Sequence, residues 1–74
     1  MEFESLFIKE DFIKLDSALK FANLVESGGH AKAVIQNGEV TVNDEICLMR
    51  GKKLRENDKV IFNNKGFIIK NADK

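Results

Sequence analysis

Residues Gly28 to Asp44 read GGHAKAVIQNGEVTVND. Two adjacent glycines break a helix, because each loses much backbone freedom on folding and each opens positive φ. After them Ala31, Val34 and Ile35 recur at the spacing of one helical face, which predicts a helix over 29–37. Ser27 stands where an N-cap is wanted, and Gly38 where a left-handed residue ends the helix. Glu39-Val40-Thr41-Val42 then alternates polar and apolar, the period of a half-buried strand over 39–43. Asn43-Asp44 is a turn pair whose side chains tolerate the left-handed region. A helix of about two to three turns does not persist alone, so it must lean on another.

That partner lies just upstream. Leu15, Ala18, Leu19, Ala22 and Val25 form one apolar stripe, which predicts a helix over 15–25. Phe21 and Leu24 widen the stripe, so this helix is expected to be buried on two sides, and Asp16 and Lys20 stand in the favourable acid-first order four residues apart. Further upstream, Phe3, Leu6, Phe7 and Ile8 are strand formers and predict a strand over 2–9, with Phe3 and Phe7 on one face and Glu2, Glu4, Leu6 and Ile8 on the other.

Downstream of the turn, residues 45–48 read as a return strand with Ile46 and Leu48 inward and Cys47 turned away or at the rim. Arg50-Gly51-Lys52-Lys53 is a basic loop, with Leu54 expected to plug its base. Strands over 59–62 and 66–70 flank Asn63-Asn64-Lys65-Gly66, a hairpin signal, and the polar tail from Asn71 to Lys74 is expected to fray. The order is β-α-α-β-β-β-β, so the class is α+β with a small, mainly antiparallel sheet in a single domain, residues 1–74.

The composition narrows the function. A chain of 74 residues has only a thin core, and its one cysteine excludes an intrachain disulfide. No apolar run is long enough to span a membrane, and the acidic start MEFESLFIKED lacks the basic region of a signal peptide, so a cytoplasmic protein is expected. Twelve basic and twelve acidic residues cancel, yet they are segregated. Residues 1–45 carry four lysines against nine acids, a balance of −5, and residues 46–74 carry eight basic residues against three acids, a balance of +5. No cofactor or metal cluster is suggested, and catalysis finds no support. His30 has no Ser or Cys partner in a nucleophile arrangement, Cys47 has no partner at all, and Gly28-Gly29 lacks the strand before and the Lys-Ser/Thr after that a phosphate loop requires.

Lys14-Leu15-Asp16, then Ser27 to Ile35, then Gly38-Glu39-Val40-Thr41-Val42-Asn43-Asp44, and finally Asn57-Asp58-Lys59-Val60 together resemble the alpha-L RNA-binding domain, the S-four-like domain named for small-subunit ribosomal protein four. Most of residues 14–62 is covered. The GGHAK and RGKKL segments look most like the small stand-alone bacterial members, which are a single domain with an added N-terminal strand. Gly28 replaces the second-helix arginine of the family pattern, and Asp44 and Asn57 replace turn glycines.

The resemblance implies a non-catalytic protein that binds structured RNA, ribosomal or transfer-RNA-like, through a face made by the two helices, with the ribosome itself as a candidate partner. Arg50, Lys52, Lys53 and Arg55 place four cations within six residues, and such cations supply most of the affinity for a polyanion. Lys14 and Lys32 fall at the family's basic positions on the helices. His30, beside the glycine turn, could stack on a base or donate to a phosphate, although a lone histidine is more often a surface or capping residue. Asn43 has two readings, an RNA contact and the residue that closes its turn, the second being the commoner. Phe12, Phe21 and the other phenylalanines are expected in the core, which favours recognition by shape and phosphate contact over base stacking. A monomer without membrane contact is expected, and the alternative function is a protein–protein interaction adaptor on the same fold.

Overall fold

The computed structural model describes residues 3–72. Its elements in chain order are β1 (Phe3–Ile8), β2 (Ile13–Lys14), α1 (Leu15–Phe21), α2 (Gly28–Gln36), β3 (Val40–Val42), β4 (Glu45–Ile46), β5 (Lys53–Leu54), β6 (Lys59–Phe62) and β7 (Lys65–Asn71). Five strands form one sheet in the order β1-β7-β6-β3-β4, and β2 and β5 form a separate two-stranded ladder. All pairings are antiparallel except β1 with β7, which run parallel from Phe3 beside Gly66 to Ile8 beside Asn71. The class is therefore α+β. The N-terminal strand enters at the sheet edge formed by the last strand, and Glu2, the expected first residue of that strand, lies outside the described residues.

The core joins both helices to one face of the sheet. Leu15, Ala18 and Leu19 of α1 and Ala31, Val34 and Ile35 of α2 pack with Val40, Val42, Val60, Phe62, Phe67 and Ile69 from the strands. In β3 and β6 the buried side chains alternate with half-exposed ones, which is the pleat expressed as burial.

α1 ends at Phe21, earlier than the stripe running to Val25 predicts. The stop is Asn23, which adopts φ 60°. The Leu24 N–H donates to the Leu19 carbonyl and the Asn23 N–H to the Lys20 carbonyl, the paired bonds of a Schellman motif with asparagine in the glycine's place. α2 ends in the same motif built on Gly38 at φ 77°, with Glu39 N–H on Val34 O and Gly38 N–H on Ile35 O. Its start is capped by Ser27, whose Oγ accepts from the His30 N–H at 3.1 Å. The turns at Asn43-Asp44 and Asn63-Asn64 each have two residues at positive φ, the type I′ geometry that matches strand twist.

Four expectations are corrected. Ile46 and Leu48 are 64% and 59% exposed, because pairing in β4 ends at Ile46 and it is Cys47 that packs against the core. Phe21 is 68% exposed, since it lies about 120° round the helix from Leu15 and cannot join that residue's stripe. Phe12 is only half-buried, and Phe7 is exposed, rather than part of the core. The tail does not fray through Ala72: Ala72 N–H donates to Ile8 O at 2.8 Å, and the Asn71 amide donates to Glu10 O at 3.2 Å. Asp73 and Lys74 lie outside the described residues.

Candidate nucleic-acid interface

The first two N–H groups of α1 have no partner within the helix and must find one elsewhere. Lys14, at the N-cap, offers no side-chain cap. The basic loop supplies the acceptors instead. Leu15 N–H donates to Lys52 O at 2.9 Å and Asp16 N–H to Arg50 O at 3.1 Å. Main-chain carbonyls of the loop are thereby used up on the helix start, and the loop's side chains are left to solvent.

The β2–β5 ladder fixes the same junction. Lys14 stands opposite Lys53 and Ile13 opposite Leu54. Leu54 is fully buried and anchors the loop to the core, while Lys53 and Arg55, two residues apart on an extended chain, project to the other side. Both meet the ring of Phe12, Lys53 Nζ at 4.9 Å and the Arg55 guanidinium at 5.8 Å from its centroid. The Met49-to-Lys52 turn closes with Lys52 N–H on Met49 O, and a side chain at Gly51 would meet nothing within 4 Å. Lys14, Arg50, Lys52, Lys53 and Arg55, distant in sequence, are thus gathered at the start of α1, all of them exposed.

Carboxylates nearby are mostly engaged with backbone. Asp16 Oδ1 accepts from Ser17 N–H at 2.7 Å. Asp58 Oδ2 accepts from Arg55 N–H at 2.8 Å, and its Oδ1 accepts from the Asn43 amide at 3.0 Å. Arg55 shares a shallow depression with Asp11 and Glu56, which sets acidic side chains near its charge.

A second group lies at the start of α2. Lys20 Nζ comes within 4.0 Å of where a Cβ on Gly28 would sit, which brings an ammonium beside the first residue of α2. Asp16, four residues before Lys20 and expected to pair with it, has its Oδ1 on the backbone N–H of the next residue. His30 is exposed, with Nδ1 accepting from Glu26 N–H at 3.2 Å, so the neutral ring carries its proton on Nε2 and can present it outward. Lys32 is exposed on the same helix, two residues further along. Among the described residues no hydrogen bond or ring contact ties His30 or Lys32 to the basic loop. The seven-residue α1, about 10 Å long, separates the two groups.

Asn43 shares a hollow with Lys52, but its amide is turned to other work. Its Nδ2 donates to Asp58, its Oδ1 accepts from Lys59 N–H at 2.9 Å, and its own N–H donates to Lys59 O at 2.8 Å. Both ends of the amide are consumed in tying the β3–β4 turn to the start of β6. Phe12 is the member of the first group that sequence reasoning missed. The available signal was its position two residues before Lys14, on the outward side of a short extended segment whose inward residue is Ile13.

Among the described residues no group of three or more His, Cys, Asp or Glu side chains could hold a metal ion, and no helix is long and apolar enough to cross a membrane.

The family profile described as S4 domain matches residues 6–70. A protein of Bacillus subtilis (strain 168) named "Probable ribosome maturation protein RlbA" is 43% identical over 53 residues, covering 72% of this chain and 75% of that relative.

Proposed function

The chain belongs to the S4 domain family, and from that premise we propose that it is a non-catalytic protein that binds structured RNA through the cations around the start of α1. One observation carries this reading. The carbonyls of Arg50 and Lys52 are bonded to the first turn of α1, and Lys14 is paired with Lys53, so a loop from the positive half of the sequence is fixed beside a helix from the negative half. The result is a local positive surface on a chain whose formal charge is zero.

Lys14, Lys52 and Lys53 are the principal phosphate contacts, with Arg50 able to clamp a phosphate through two parallel hydrogen bonds. Lys20, His30 and Lys32 extend the surface toward α2. Arg55 contributes less because of its acidic neighbours, and Asn43 acts by holding the fold rather than by touching RNA. The name of the Bacillus subtilis relative refers to ribosome maturation, which supports ribosomal RNA as the target class and the cytoplasm as the place of action.

Filter binding against a structured ribosomal RNA fragment at two salt concentrations tests the reading. Salt-sensitive binding that is lost in Lys52→Glu/Lys53→Glu supports it, and salt-insensitive or unaltered binding refutes it. An adaptor role is the second reading, favoured by Ile46, Leu48 and Met49, three exposed apolar side chains in near succession. Capture of a protein partner that survives nuclease treatment and the same charge reversal would favour that role.

A further inference from the structure

Three phenylalanines that a small domain would ordinarily bury line one groove instead. Phe7 of β1 is 62% exposed, Phe21 of α1 is 68% exposed and Phe12 is half-buried. The groove has a volume of about 580 Å³, and Lys9, Glu10 and Lys14 stand among its lining residues. Its size falls in the range of small-molecule pockets.

Two residues make the groove continuous with the cation group. Lys14 lines the groove and stands opposite Lys53 in the β2–β5 ladder. Phe12 lines the groove and carries both Lys53 and Arg55 at its ring. A chain whose phosphates rest on Lys14 and Lys53 would meet a groove with three aromatic rings in its lining. Unstacked bases are held on aromatic side chains in this way, and every base has a face to offer. A purely apolar occupant would leave Lys9, Glu10 and Lys14 facing it unpaired, whereas a nucleotide satisfies the lysines with phosphate and offers exocyclic amino groups to Glu10.

We propose that the Phe7–Phe12–Phe21 groove receives an unpaired base of the RNA whose phosphates the α1 cations hold. The inference rests on the RNA-binding reading above and adds a second mode to it: selection of a bulge or loop over a continuous duplex.

The test uses the full chain and two RNA hairpins with one stem sequence, one fully paired and one with a single unpaired 2-aminopurine in the stem. The wild type should bind the bulged hairpin roughly tenfold more tightly, with a change in 2-aminopurine fluorescence on binding. Phe7→Ala and Phe21→Ala, each at an exposed position, should abolish that preference and leave affinity for the paired hairpin unchanged. Phe21→Leu should also lose it, because leucine fills space without offering a ring. Equal wild-type affinity for the two hairpins would overturn the groove as a base site while leaving RNA binding intact. So would a preference that survives both alanine substitutions or Phe21→Leu. Salt-insensitive or absent binding of both hairpins would instead remove the RNA-binding reading, and this inference with it.

Discussion

Asn43 sits at φ 52° and spends its side chain on two bonds, to Asp58 and from Lys59. Asn43→Ala removes both and places a Cβ-bearing residue without local compensation in the left-handed region. The expected cost is about 1–2 kcal/mol, the sum of exposed hydrogen bonds and backbone strain, seen as a lower midpoint in thermal melting. At a temperature where the variant remains folded, its RNA affinity should match the wild type, since both ends of the amide are engaged with Asp58 and Lys59. Sequence alone held both readings of Asn43, because the side chain serves turn closure and base recognition equally well and only its partners, fifteen and sixteen residues away, decide between them. Phe21 departs from expectation for a simpler reason: its neighbours are apolar, but its angle about the helix differs from theirs. The cations themselves were legible as residues and not as an arrangement. That Arg55 has Asp11 and Glu56 beside it follows from β1 and β7 converging there, which no local pattern announces.

At the scale of elements, helix ends and ladders matter more than helix stripes. α1 stops at an asparagine in a Schellman motif, so Asn23→Gly should leave the melting midpoint unchanged or slightly raised, while Asn23→Ala should lower stability by about 1 kcal/mol. Equal effects of the two substitutions would show that the left-handed stop is not what ends the helix. The glycine pair at 28–29 was the visible breaker in the sequence, and it opens α2 rather than closing α1. The β2–β5 ladder was invisible in advance because two residues per strand carry no periodicity. Only Leu54, an apolar residue inside a basic run, signalled that the loop was anchored. Truncating it tests that anchor: Leu54→Ala, at a fully buried site, should cost about 2–4 kcal/mol in denaturant melts, a large share of the stability of so small a domain.

For the molecule as a whole the decisive fact is that total charge is zero while the halves of the chain carry −5 and +5. A neutral protein has no long-range pull on a polyanion, so any affinity must come from where the cations stand within a Debye length of the bound phosphates, about 8–10 Å at physiological salt. Lys52 and Lys65 separate placement from total charge. Lys52 lies in the loop bonded to the start of α1, whereas Lys65 borders a hollow with Ala22, Asn23 and Leu24 at the other end of that helix. Lys52→Glu and Lys65→Glu each change the net charge from 0 to −2. Binding to structured RNA should fall about tenfold or more in the first and by less than about twofold in the second. The slope of log affinity against log salt should likewise shrink by about 0.7–0.9 when the one phosphate that Lys52 neutralises is no longer bound, and stay unchanged for the Lys65 variant. Equal losses in the two proteins would mean that bulk charge governs the encounter. The fold would then not be serving to carry a late basic loop to an early helix, and a different face would have to be sought for the RNA.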